Sequence, residues 1–465
     1  MIQVDAVLPI VIQFSNNGVN WQFHRYENRG APAFVYLSNM KKQFCYLVCF
    51  FITFHCTAQI DDSLFAKQAL AENQTRLYQN LVSNSIQKNL SQPLTGDNEE
   101  DWQSAFYAME LINYRTPWTE AKISQAIDSI GRRSPAFQYA LVELMYTWQD
   151  TTYAKSIHQL LLQTKNNKIF AICAEYLLLC KISPDRILEI AQIVKNKIGA
   201  VLEKSDHAIL TSLLVRLKSS LPGFEPAETN LQPLFDSAYL AGHVVFYSIQ
   251  RKNRNYPGLA LVKDKKGKFV TDESGDLFSV PQLARSVSNL PGYLTNGNTP
   301  QGLYRMDGLG VSKSSFIGPT ENIQLSLPNE TSRLHFTRGD PNIDTTTDFF
   351  WYTDLLPEKL QNYQPLAESF QAGMAGRTEI IAHGSTVDPA FYKNQLFYPF
   401  VPTQGCLTSK EVWSKLTGKR IQSDQQQLIN AVKKAGGADG YCMVIEIDDQ
   451  QRPVTVADIL PFLKQ

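Results

Sequence analysis

The sequence predicts a two-part molecule: an N-terminal all-α bundle or repeat-like array, then a mainly β region. Three observations carry that division. From residue 99 to about 220, apolar residues recur at spacings of three and four, the pattern of helices with one buried face. Residues 221–230 interrupt it with Pro222, Gly223 and Pro226. Beyond them come short alternating runs bounded by glycine, proline and aspartate, as strands and turns require.

Taken in order, the chain first offers a second apparent start at Met40, followed by Lys41 and Lys42. Residues 44–54 are an apolar run, and Cys56-Thr57-Ala58 supplies the small residues of a cleavage site. Residues 40–58 therefore read as a signal peptide, with an exported chain beginning near Gln59 in the periplasm or cell envelope. Residues 1–39 read as an over-extended start or a disordered segment. Cys56 raises a lipoprotein reading, for which Phe54-His55 is a poor lead-in.

Residues 59–220 form the helical domain. Trp102, Phe106, Met109 and Ile112 share one face, as do Phe137, Leu141, Leu144 and Trp148, and Ile209, Leu213 and Leu217. Thr116-Pro117, Ser134-Pro135 and Ser183-Pro184 are helix starts, an N-cap hydroxyl followed by proline at the first position. About seven helices with short connections result. In residues 231–465, runs at 243–249, 258–263, 303–306, 323–327, 333–337, 379–382 and 441–447 are expected as strands. Residues 279–287 and 424–435 are expected as helices, the second ended by Gly436-Gly437. With residues 221–230 as a linker, the second region is expected to fold without the first.

Bulk charge argues against nucleic acid as a partner: Lys plus Arg is 44 and Asp plus Glu is 44. No stretch of eighteen apolar residues marks a membrane span in the body of the chain. Cys45, Cys49 and Cys56 belong to the signal. Cys173 and Cys180 lie on one helical face, and Cys442 sits in an apolar strand, so all three read as buried thiols. Metal-ligand spacing of Cys and His is lacking, so neither a metal nor a cofactor is expected.

Residues 380–409 carry the chemistry. Ile380-Ile381-Ala382 delivers His383-Gly384, and Thr403-Gln404-Gly405-Cys406 delivers a cysteine from a small, polar turn, which beside an imidazole is expected to favour thiolate. A thiolate that attacks a carbonyl and an imidazole that moves the proton are the minimum for nucleophilic catalysis. Gly405 lets the backbone approach a substrate, and N–H groups around Cys406 suit a developing oxyanion. His335 lies in a strand-like run and reads as a strand histidine.

At these residues the chain resembles the L,D-transpeptidase family. That family carries a histidine followed by glycine and, some twenty residues later, Ser/Thr-His-Gly-Cys. His383-Gly384 and Thr403, Gly405 and Cys406 match; Gln404 stands where the second histidine is usual, and Thr408 where Arg or Asn is frequent. Thr299-Pro300-Gln301-Gly302-Leu303-Tyr304-Arg305-Met306 resembles the family's upstream strand signature. The resemblance covers about residues 238–463 and implies a β-sandwich-like catalytic domain. It implies Cys406 as nucleophile and His383 as base, oriented by the Gly384 carbonyl. Gly405 and Cys406 N–H groups would bind the oxyanion. Thr403, Gln404, Tyr304 and Arg377 would meet the substrate, a peptidoglycan tetrapeptide stem. Arg305, Arg338, Trp351 and Tyr352 are further groove candidates. The alternatives are a catalytically inactive wall-binding module on a helical scaffold and a peptidoglycan-hydrolysing relative. A protein partner for the helices and the oligomeric state are left open.

Overall fold

The computed structural model describes residues 64–225, 229–344, 346 and 349–463. Ahead of them it describes only the backbone of a hairpin, β1 (Ile12–Ser15) and β2 (Gly18–Trp21). The expected signal at 40–58 and most of 1–39 lie outside the described residues.

Helix α1 (Ala71–Asn80) passes through a π-helical stretch, Leu81–Lys88, into α2 (Asn89–Ser91). Seven helices then fill residues 99–219: α3 (Glu99–Leu111), α4 (Pro117–Ile127), α5 (Pro135–Thr147), α6 (Ala154–Gln163), α7 (Asn167–Leu179), α8 (Pro184–Ile198) and α9 (Lys204–Ser219). Their starts follow the capping rules. Thr116 accepts from Thr119 N in a capping box ahead of Pro117, and Ser134 accepts from Phe137 N ahead of Pro135. Helix α3 packs on α5, α5 and α6 on α7, and α7 and α8 on α9, around Phe106, Phe137, Leu141, Phe170, Tyr176 and Leu213. Cys173 is buried in that core.

The second region is mainly β. Its strands are β3 (Val244–Arg251), β4 (Gly258–Lys263), β5 (Val280–Leu283), β6 (Gly302–Gly310), β7 (Asn322–Ser326), β8 (Ile381–His383), β9 (Leu407–Ser409), β10 (Glu411–Trp413), β11 (Arg420–Ser423) and β12 (Asp439–Asp448). Eight of them close into a barrel in the order β12-β3-β4-β5-β9-β8-β7-β6. The pairs β12–β3 and β8–β9 are parallel and the other six are antiparallel. Strand β3 shows how the faces divide. Val244 and Phe246 point into one core, with Leu428, Ile429 and Val432 of a helix spanning Asp424–Ala435. Val245, Tyr247 and Ile249 point into another, with Trp351, Tyr352 and Phe370. The Asp424–Ala435 helix begins at a Ser423 cap and ends at Gly436, φ 125°.

Two local expectations are corrected. Residues 280–283, expected within a helix, form β5, which pairs with β4 and β9. A short apolar run is ambiguous between the two periods, and sheet pairing decides it. Residues 333–336, expected as a strand, form a one-turn helix because Ser332 caps His335 N. His335 is thus no strand residue.

The secondary structure changes after α9, yet the packing continues across. Leu290, Tyr293 and Leu294 of the β region are buried in the helical core. Tyr139 donates to Thr295 O at 2.7 Å, Tyr392 to Leu111 O at 2.6 Å, and Tyr293 to Glu175 Oε1 at 2.8 Å.

Candidate functional site

Strands β8 and β9 lie side by side, with Ala382 beside Leu407 and His383 beside Thr408. Ala382 and Leu407 both point into the core packed by the Asp424–Ala435 helix. His383 and Thr408 therefore point the other way. Carried back one residue, the register sets Cys406 beside Ile381, on the face of His383. The sheet thus places on one face two residues separated by a long connection in sequence.

His383 is buried, and its Nδ1 bonds the Gly384 carbonyl. Donation from Nδ1 leaves a lone pair on Nε2. Burial holds the imidazole down to about 4, against an ordinary 6.5, so it is a neutral base near neutrality. Cys406 is partly exposed. Its Sγ donates to Glu379 O at 3.7 Å and is pushed up to about 11 by burial, while the Ile381 N–H and the Arg377 guanidinium pull it down. The turn was expected to favour thiolate. The structure corrects this: the resting pair is a neutral thiol and a neutral imidazole, because desolvation outweighs both stabilising groups. In this conformation the thiol bonds the Glu379 carbonyl.

Glu379 is itself in a left-handed conformation, φ 61°. Its N–H is fixed by Glu330 Oε1 at 2.9 Å, and its carbonyl holds the thiol. Gly405 has φ 120°, and a Cβ there would lie 2.0 Å from Arg377 Nη2 and 2.6 Å from Gly297 O. Only glycine fits that turn. Its N–H goes to Thr403 Oγ1 at 3.1 Å, and Thr403 Oγ1 donates to Cys406 O at 2.9 Å. Gly405, expected as an oxyanion donor, is therefore already engaged in this conformation. Thr299 Oγ1 donates to Gly405 O at 2.8 Å. The upstream signature thus touches the cysteine turn directly.

The other candidates fall into different places. Arg377 is buried beneath the turn and donates to the carbonyls of Gly292, Gly297 and Asn298. It braces the 292–298 loop and offers no clamp to a substrate. Tyr304 is fully buried, with its hydroxyl on Pro300 O at 2.6 Å, and lines no groove. Gln404 is exposed at the turn and Thr403 is half-buried. Trp351 and Tyr352 are core residues. Arg305 and Arg338 both hold Asp439, and His335 Nε2 bonds Asp307 at 2.7 Å. The concavity of about 350 Å³ near them is lined by Arg305, Asp307 and His335, not by Cys406 or His383. Among the described residues, no group of three or more His, Cys, Asp and Glu side chains is placed to hold a metal.

Two supports escaped sequence reading. Glu379 precedes an apolar run and carries no motif, yet its carbonyl sets the thiol. Glu411 is buried against Gly384, whose added Cβ would lie 2.1 Å from the Glu411 carboxylate. Burial lifts that carboxyl to about 7, and Ser423 Oγ donates to it at 2.6 Å. Trp413 Nε1 donates to Ser385 O at 3.1 Å, so β10 backs the histidine loop twice.

No protein-family model, no curated protein and no solved structure matches the chain.

Proposed function

We propose that the β region is the catalytic domain of a cysteine acyltransferase of the L,D-transpeptidase kind, acting on peptidoglycan stems in the cell envelope. One observation carries the reading: the two stretches that resemble the family, 106 residues apart at Thr299 and Gly405, are hydrogen-bonded to each other beside Cys406. A Cys and a His on one face of adjacent strands support it further.

In this mechanism Cys406 swings from Glu379 O toward His383. The sulfur attacks the carbonyl joining the third stem residue to the terminal D-residue as its proton passes to Nε2. The tetrahedral adduct collapses, the C–N bond breaks, and the imidazolium returns the proton to the leaving amine. An amine of a second stem then attacks the thioester, giving a cross-link and restoring the thiol. Because the base is neutral well below pH 7, the pair needs no preformed ion pair.

The exposed Gln404, which cannot carry a proton, favours a second reading in which water is the acceptor and the product is a shortened stem. Intact-mass analysis after exposure to a carbapenem tests for the acyl-enzyme, and muropeptide analysis separates cross-linking from hydrolysis. Absence of any adduct on the unmodified chain, with no change in muropeptides, would make the domain a wall-binding module.

A further inference from the structure

The turn after His383 is gripped from behind by β10 and by the Asp424–Ala435 helix. Gln425 Nε2 donates to Ala382 O at 2.9 Å, and Trp413 Nε1 donates to Ser385 O at 3.1 Å. The carbonyls on both sides of His383-Gly384 are thereby fixed. Between them stands Glu411. Its side chain has no exposed surface, and a Cβ added to Gly384 would lie 2.1 Å from its Oε2. The carboxyl fills the space that a side chain at 384 would take. The Gly384 carbonyl is left to accept from His383 Nδ1.

Glu411 is itself held in place. Ser423 Oγ, opposite it on β11, donates to its Oε1 at 2.6 Å. The same hydroxyl caps the Asp424–Ala435 helix, accepting from Gln426 N at 2.8 Å. Arg420, likewise without exposed side-chain surface, has its Nη1 4.0 Å from Oε1 and donates to Thr320 Oγ1 at 2.9 Å and Gln426 Oε1 at 3.1 Å. A fully buried acid and base add little stability, because desolvation offsets their attraction. Contact with the histidine turn gives the pair another use. Glycine leaves its peptide a wide choice of φ and ψ, so the Gly384 carbonyl can turn off Nδ1 unless something stands against it. Donation from Nδ1 is what leaves the lone pair on Nε2. With that bond lost, the ring proton can sit on Nε2, and no proton can then be taken there from the thiol. A carboxyl pressed on Gly384 removes this freedom. We infer that Glu411 is a positioning residue: through Gly384 it holds His383 in the tautomer that can take the Cys406 proton. This role rests on the acyltransferase reading.

The full chain with isotope-labelled histidine tests this by long-range proton–nitrogen correlation spectra, which tell the two neutral tautomers apart. His383→Ala assigns the signals of His383 among the seven histidines. The unsubstituted chain should show Nδ1–H alone at pH 7. Glu411→Asp keeps the acid but draws it back by one methylene. It should mix the tautomers and slow acylation by a carbapenem, followed by intact mass, about tenfold or more. Glu411→Gln keeps the length and an acceptor for Ser423, and should restore the single tautomer and most of the rate. Ser423→Ala frees Oε1 with Glu411 in place and should move both readouts part of the way, so it decides the matter where Glu411→Asp does not fold. A single tautomer and an unchanged rate in Glu411→Asp, or in Ser423→Ala where that replaces it, overturn the inference. So does Nε2–H in the unsubstituted chain, or a Glu411→Gln chain that loses the tautomer as Glu411→Asp does. An unsubstituted chain that forms no acyl-enzyme strikes the acyltransferase reading instead, and the spectra then decide by themselves whether Glu411 sets the tautomer.

Discussion

The helical region and the barrel bury very different things. The helical core is almost wholly aliphatic and aromatic, and its buried acids Glu99, Glu110, Glu143 and Glu175 stand out against that background. The barrel buries Gln250, Arg251, Lys263, Arg285, Arg305 and Gln425, tied mostly to backbone carbonyls and carboxylates. Apolar packing is non-directional and supplies most of the stability, whereas a buried polar network fixes one geometry. The two meet at the 288–298 loop. Glu143 and Glu175 reach it from the helices, and Arg377 passes its position on to Gly405. The site is set by the barrel and braced by the helices.

The largest expected effect lies inside the barrel. Cys406→Ala should abolish acyl-enzyme formation by intact mass, while Cys442→Ala, in an apolar strand, should leave it standing. His383→Ala should slow acylation about a hundredfold or more. The pH profile sharpens this. A base held down to about 4 stays neutral above that pH, so acylation should fall on the acid side near pH 4 rather than near 6.5. The same depression means the unfolded chain binds the extra proton between 4 and 6.5. Its stabilising contribution is full above 6.5 and is lost as pH falls toward 4. An acid limb near 6.5 would contradict the burial of His383.

Next come the backbone seats. Gly405→Ala places a Cβ on Arg377 and a side chain at φ 120°. Gly384→Ala drives one into Glu411. Each should lower the melting temperature, by strain of about 1–3 kcal/mol or more, and remove acylation. A melting temperature unchanged in both would mean the turn has room to relax.

Splitting the regions should have an intermediate effect. A fragment of residues 231–465 keeps both barrel cores, so strand content by circular dichroism should persist. It exposes Leu290, Tyr293 and Leu294, so the loop under Gly405 should lose hydrogen-exchange protection and acylation should slow. Full activity of the fragment would show that the barrel needs no brace.

Smaller effects test the brace itself. Burial lifts the Glu143 carboxyl to about 8, so it stays protonated in the folded chain while the unfolded one ionises above 4.5. Stability is therefore lost as pH rises from 4.5 toward 8. Glu143→Gln should flatten that slope in calorimetry while keeping an acceptor for Asn296. Tyr139→Phe and Tyr293→Phe each remove one bond between the regions and should cost about 1 kcal/mol in denaturant unfolding.

Much of this molecule was legible in the sequence. Apolar periodicity located the seven helices of 99–219, and Thr116-Pro117 and Ser134-Pro135 marked starts, because capping and period are local properties. His383 and Cys406 stood out for the same reason, each next to a glycine. What the tertiary structure decided was long-range. It turned 280–283 into a strand by supplying partners. It buried Tyr304 and converted Arg377 from an expected substrate clamp into a brace under Gly405, since burial depends on what packs above a residue. It set the protonation of the Cys406–His383 pair, where loss of hydration rather than motif chemistry determines the charge.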